Sequence, residues 1–260
     1  MKKFMALLMA LVMILGLMAG CSKSDSSNGG MTINEGKLVM STNAQFPPYE
    51  YTDDNGNFLG IDIEVAQAIA DKLGLELVID DMGFTAALEA AQNGKSDMVM
   101  AGVTVTETRK AVMDFSISYA TGIQVIIVKE DSSIASVDDL DGKLIGTQLG
   151  TTGYLYCSDT PENGGYGEDA VIGYDNGITA VQALMNGQVD CVVIDKAPAE
   201  AFVASNPGLK ILETEFTVED YAIGFAKGNT ELKEAVDGAL QELIADGTIQ
   251  KIVDKYIPAE

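Results

Sequence analysis

Apolar residues at positions 61, 65, 66, 69, 70 and 73 recur at helical spacing, and Gly74 follows the last of them. This stripe predicts a helix over Ile61–Leu73 that the glycine closes. Short apolar runs at Leu38–Ser41, Leu75–Ile79, Asp97–Met100, Gln124–Val128 and Leu144–Ile145 read as strands. Between them, Thr85 is placed to cap a helix that runs to Gln92 and stops at Asn93-Gly94. Val137–Leu140 predicts a helical turn, and a Gly/Thr loop after Ile145 leads into another helix. Strands alternating with helices predict an α/β chain with parallel sheets covered on both faces.

The pattern repeats itself. Ala86–Met100 reads AALEAAQNGKSDMVM, and Ala180–Ile194 reads AVQALMNGQVDCVVI. Laying Asn93-Gly94 on Asn186-Gly187 brings Asp97 onto Asp190 and the two following strands into coincidence. One helix–turn–strand unit used twice predicts two related lobes. The repeated strands end at Ala101–Thr104 and at Asp195, and open α/β sheets bind ligands beyond the carboxyl ends of their strands.

The N-terminus carries a different pattern. Met1-Lys2-Lys3 precedes an apolar run from Phe4 to Ala19, which is the form of an export signal and falls short of the ~20 residues that span a bilayer. Leu17-Met18-Ala19-Gly20-Cys21 is similar to a bacterial lipobox, which implies cleavage after residue 20 and acylation of Cys21, the alternative being an ordinary signal peptide with an incidental cysteine. The polar stretch that follows predicts a flexible tether over 21–36.

Composition narrows the chemistry. The 260 residues carry 16 Lys+Arg against 39 Asp+Glu, a net charge of −23, with no histidine and a single arginine, Arg109. Without histidine there is no His-based triad, His general base or common zinc site. So acidic a chain repels nucleic acid. Cys157 and Cys191 remain after the lipobox cysteine, either as an exported disulfide or as two buried thiols.

Four groups of residues could carry function. In Ala101–Lys110, Gly102 allows close backbone approach, Thr104 offers a hydroxyl and Thr106 can cap the next turn. Arg109 then lies on the first helical turn as a bidentate carboxylate receptor, the alternative being a surface ion pair. Gly146–Gly153 lacks the G-K-[ST] of a phosphate loop and the G-x-G-x-x-G of a dinucleotide site. It suits a carboxylate, or is a plain tight turn. Asp195, after the apolar Val192–Ile194, either caps the next helix or binds a cation. Phe46, Tyr49 and Phe84 form an apolar wall with Asn43 and Gln148 as polar handles, unless they are core. Together these make a receptor for a zwitterion, and no acid–base pair, activated nucleophile or metal cluster accompanies them.

The chain resembles the bacterial extracellular solute-binding proteins of the polar amino acid ABC-transport family, the glutamine-, histidine- and lysine/arginine/ornithine-binding type. The resemblance runs from Lys37 to Tyr256. It rests on Ser41–Glu50, Gly60–Glu64, Ala101–Thr104 with Thr108–Lys110, Asp114–Ser116, Asp139–Lys143, Gly150–Gly153 and Tyr221–Phe225.

The resemblance implies two Rossmann-like lobes of the periplasmic-binding-protein type II fold, residues 37–119 with 222–260 and residues 124–217. Hinges are implied near Tyr119–Ile123 and Thr217–Tyr221. It assigns Arg109, Thr104 and Thr152 to a ligand α-carboxylate, Asp195, Thr104 and the Gly102 backbone to an α-ammonium, and Asn43, Phe46, Phe84 and Gln148 to the ligand side chain. Several relatives that bind cationic side chains carry Asp at the place of Asn43, which favours a neutral polar ligand such as glutamine. The lipobox adds the expectation of a lipid anchor on a Gram-positive surface, and the receptor is expected to be a monomer. Such a receptor needs no cofactor and hands a free amino acid to a membrane permease. A secreted dehydratase of small carboxylates on the same scaffold is the alternative.

Overall fold

The computed structural model describes residues 30–212 and 216–258. The export segment, Cys21 and the tether as far as Gly29 lie outside the described residues. The last stretch of the predicted tether is held against the domain: Thr32 is buried and the Ile33 amide donates to Asp97 Oδ1 at 2.7 Å.

The described residues form twelve strands: β1 (Lys37–Thr42), β2 (Gln45–Phe46), β3 (Glu50–Thr52), β4 (Phe58–Leu59), β5 (Glu76–Asp81), β6 (Met98–Val99), β7 (Met113–Lys129), β8 (Ile145–Gln148), β9 (Val171–Tyr174), β10 (Cys191–Asp195), β11 (Leu209–Ile211) and β12 (Thr217–Ala226). Nine of them make one sheet in the order β5-β1-β6-β12-β7-β10-β8-β9, with β11 on β7, while β2-β3-β4 form a small separate sheet. At one end β5, β1 and β6 are parallel, and at the other β10, β8 and β9 are parallel. Antiparallel β7 and β12 run between these two groups. This is the α/β arrangement of a periplasmic-binding-protein-like fold of type II.

The Ile61–Leu73 helix forms over the bounds its stripe predicts. Its apolar face is buried, and Gly74 closes it in the left-handed region at φ 68°. Its entry depends on Gly60, at φ 126°, where any Cβ would collide with the Tyr49 carbonyl. The helix Phe84–Gln92 corrects one expectation. It starts after Gly83 with no side-chain cap, so Thr85 lies inside the first turn. The predicted strand Gln124–Val128 is only the end of the 17-residue β7. Its first half alternates polar and apolar in Met113–Tyr119, the half-buried strand pattern.

The repeated units share more than sequence. Each helix ends at Asn93 or Asn186 and turns through Gly94 or Gly187. Each then presents an aspartate in the same double embrace. Asp97 donates its amide to the Val39 carbonyl and accepts the Val39 amide on Oδ2, at 2.8 and 2.7 Å. Asp190 does the same with Leu144, at 2.8 Å in both directions. Two opposed bonds to one residue fix where the repeated strand starts against its parallel neighbour. Cys157 and Cys191 are free thiols buried in one apolar cluster with Ile145 and Val193, and burial pushes both up to about 12.

Candidate functional site

The loop after β6 begins the site. Gly102 takes φ 54°, and a Cβ there would stand 2.9 Å from the Phe46 ring, so the close approach requires glycine. Its amide donates to Asp62 Oδ2 at 2.9 Å, and the Tyr119 hydroxyl donates to Asp62 Oδ1 at 2.7 Å. Thr106 caps the helix Glu107–Val112 by accepting the Arg109 amide at 3.1 Å, as its position predicts.

That cap sets Arg109, which is buried, not a surface ion pair. Nη1 donates to the Thr104 carbonyl at 2.7 Å and Nη2 to the Gly150 carbonyl at 3.2 Å, and the guanidinium lies over the Phe84 ring at 5.5 Å. These bonds use two of its five donors, and both go to neutral oxygens. Burial pulls its pKa down, and Glu219 is the strongest charge opposing that pull.

Asp195 ends β10 and occupies the N-cap position of the helix Lys196–Ser205, yet its side chain makes no capping bond. The carboxylate instead accepts the Tyr221 hydroxyl. Burial first, then the Glu219 charge, pushes Asp195 up to about 7. Gly146–Gln148 belongs to β8, so the loop proper is Leu149–Thr151, and Thr151 caps the helix Thr152–Ser158. From the strand end, Gln148 Nε2 donates to Asn43 Oδ1 at 3.0 Å, while Asn43 Nδ2 donates to the Met82 carbonyl.

The structure brings Asn43, Phe46, Phe84, Gly102, Thr104, Arg109, Gln148, Thr152 and Asp195 to the wall of one cavity. Tyr49 is not brought there; it stacks on Phe46 at 5.9 Å and meets Tyr221 edge-on at 5.2 Å. The cavity wall also includes Glu50, a buried carboxyl that burial and the neighbouring Asp62 push well up, with Oε2 unpartnered. Asp62 itself is pushed up to about 6 by burial, against the lowering effect of its bonds from Gly102 and Tyr119. Glu219 and Gln124 stand at the same place without lining the cavity. Glu219 Oε2 accepts from Thr104 Oγ1 at 2.8 Å, Thr152 Oγ1 at 3.0 Å and Gln124 Nε2 at 3.2 Å.

Sequence reasoning missed all four of these residues. Glu50 sat inside a motif read only for family likeness. Glu219 is 115 residues from Thr104 and 67 from Thr152, with no local pattern to single it out. Among the described residues no group of His, Cys, Asp or Glu is placed to hold a metal ion.

The Asp195 environment predicts a pH effect. A cationic group binds the deprotonated carboxylate, and a carboxyl raised to about 7 must lose its proton first. A cationic ligand held by this carboxylate should therefore bind roughly 30-fold more weakly at pH 5.5 than at pH 8, checked by titration calorimetry. The sign for folding is opposite: a raised carboxyl stabilises the ligand-free fold at low pH, and that contribution is lost as pH rises from about 4 toward 7.

The fold and the cavity define a binding protein of the two-lobe periplasmic type. The model of the bacterial extracellular solute-binding proteins, family 3, matches residues 38–259, and the chain belongs to that family. It is 34% identical to the arginine-binding extracellular protein ArtP of Bacillus subtilis (strain 168), over 100% of both chains. It is 30% identical to the L-cystine-binding protein TcyJ of Escherichia coli (strain K12), over 96% of this chain and 94% of that one. Among solved structures, an ancestral arginine-binding protein bound to glutamine matches with TM-score 0.80 and 42% identity, over 87% of this chain and 100% of that one.

Proposed function

We propose that this protein is the monomeric, lipid-anchored receptor of an ABC importer, which captures a free polar L-amino acid and passes it to the membrane permease. One observation carries the reading: a buried guanidinium and a buried carboxylate line the same cavity without pairing with each other. A zwitterion satisfies both, its carboxylate at Arg109 and its ammonium at Asp195 and Thr104. Residues 37–119 with 222–260 would form one lobe and 124–217 the other. The Tyr119–Ile123 and Thr217–Tyr221 segments of β7 and β12 would be the hinges. Bonds such as Gln148 to Asn43 and Arg109 to Gly150 would then join the lobes across the cleft.

The ligand side chain meets Asn43, Gln148, Phe46 and Phe84. Asn43 favours a neutral polar end such as a carboxamide, whereas Glu50 supplies a carboxyl in the same wall for a cationic one. Relatives named for arginine and a neighbour bound to glutamine are compatible with both.

A thermal-shift screen against the twenty amino acids and ornithine tests the proposal. A polar L-amino acid should raise the melting temperature by mass action and reduce the radius of gyration in solution scattering. A flat screen would count decisively against it. For the anchor on a Gram-positive surface, Cys21→Ser should move the protein from the membrane fraction of such a cell into the medium. Retention at the membrane would remove the lipid from the account.

A further inference from the structure

Three donors converge on one oxygen of Glu219, and two of them are hydroxyls of the ligand cavity. A threonine hydroxyl has one hydrogen. While Thr104 and Thr152 spend theirs on Glu219, only lone pairs remain for the cavity, and Thr152 Oγ1 already accepts Gln124 Nε2 on one of its two at 3.5 Å. Both are then acceptors, suited to an ammonium and unable to donate to a carboxylate. Glu219 is itself buried, does not line the cavity, and is the strongest charge acting on both Arg109 and Asp195.

Resting on the receptor reading above, we propose that Glu219 is a positioning residue that turns the Thr104 and Thr152 hydroxyls into acceptors for the ligand's α-ammonium. The site thereby favours a ligand with a free amino group over the same ligand without one. The ligand carboxylate falls to the unused donors of Arg109 and to the Thr152 amide in the first turn of its helix, and only the Thr152 hydroxyl leaves the role the family resemblance implies. Glu219 acts from β12, within the segment proposed as a hinge, so the acceptors are set by a residue belonging to neither lobe.

The test measures two ligand pairs by titration calorimetry: L-arginine with 5-guanidinopentanoate, and L-glutamine with 4-carbamoylbutanoate. Each second member lacks only the amino group. Glu219→Gln should weaken the amino acid by about 10- to 100-fold and the amino-free partner by no more than about threefold. Glu219→Asp should recover part of the loss, and in a Thr104→Val background Glu219→Gln should cost little further. Equal weakening of both members with a lowered melting temperature would reduce Glu219 to a structural role and overturn the proposal. Tighter binding by Glu219→Gln would overturn it too, showing that Glu219 competes with the ligand carboxylate. Wild-type protein that binds no amino acid would sink the receptor reading instead, which separates the two failures.

Discussion

Replacing Arg109 with alanine is expected to abolish amino-acid binding while the fold stays intact. The guanidinium is buried, seated on the Phe84 face, and tied to the Thr104 and Gly150 carbonyls by two donors. The other donors are free to meet a carboxylate. Removing one partner of a buried, hydrogen-bonded ion pair costs about 3–5 kcal/mol, because the other charge stays buried and unpaired. On the affinity scale that is a loss of roughly 10²- to 5 × 10³-fold. Arg109→Lys keeps the charge and loses the fork, so it should fall between the two. Arg109 and Thr104, whose carbonyl it releases, both line the cavity, where water can take the guanidinium's place, so the melting temperature should move little. Calorimetry on the three proteins checks this, and an unchanged affinity in the alanine variant would overturn the carboxylate role.

The second large effect is on stability. Gly60→Ala is expected to cost about 3 kcal/mol or more, because it adds strain at a glycine-only conformation to a collision with backbone. At φ 126° and ψ 175° an L residue is strained whatever the space, and here the Cβ meets the Tyr49 carbonyl. Relief would require moving the start of the Ile61–Leu73 helix. That helix carries Asp62, which holds the Gly102 amide at the cavity, so ligand affinity should fall along with stability. Gly83→Ala is the control: φ is −61° with open space around the site, and the change should stay within about 0.5 kcal/mol. Urea denaturation of both variants decides the matter, and a harmless Gly60→Ala would refute the steric argument.

Much of this was legible along the chain, for identifiable reasons. The Ile61–Leu73 helix declared itself because one face is buried and its last turn closes on Gly74. The repeat around Asp97 and Asp190 was visible because each aspartate makes the same local embrace with the strand beside it. Thr106 could be read as a cap, since capping is a contact over three residues. Thr85 misled for the same local reason: a threonine at a helix start resembles a cap, but Gly83 already supplies the extended entry. Asp195 stood at an N-cap position, and only packing shows its carboxylate turned toward Tyr221 instead.

The lone arginine and the absence of histidine, both plain in the composition, already favoured a site that recognises a carboxylate over one that moves protons. Periodicity and repetition likewise determined the α/β class, because burial period and turn chemistry are properties of neighbouring residues. The tertiary structure decided the rest. It set Tyr49 aside into packing, brought Glu50 to the cavity wall, and placed Glu219 against two threonines far from it in sequence. Those outcomes depend on β12 lying beside β7 and on loops from distant strands closing around one space. A hydroxyl's role as donor or acceptor is fixed by what stands behind it, and the order of residues does not say what that is.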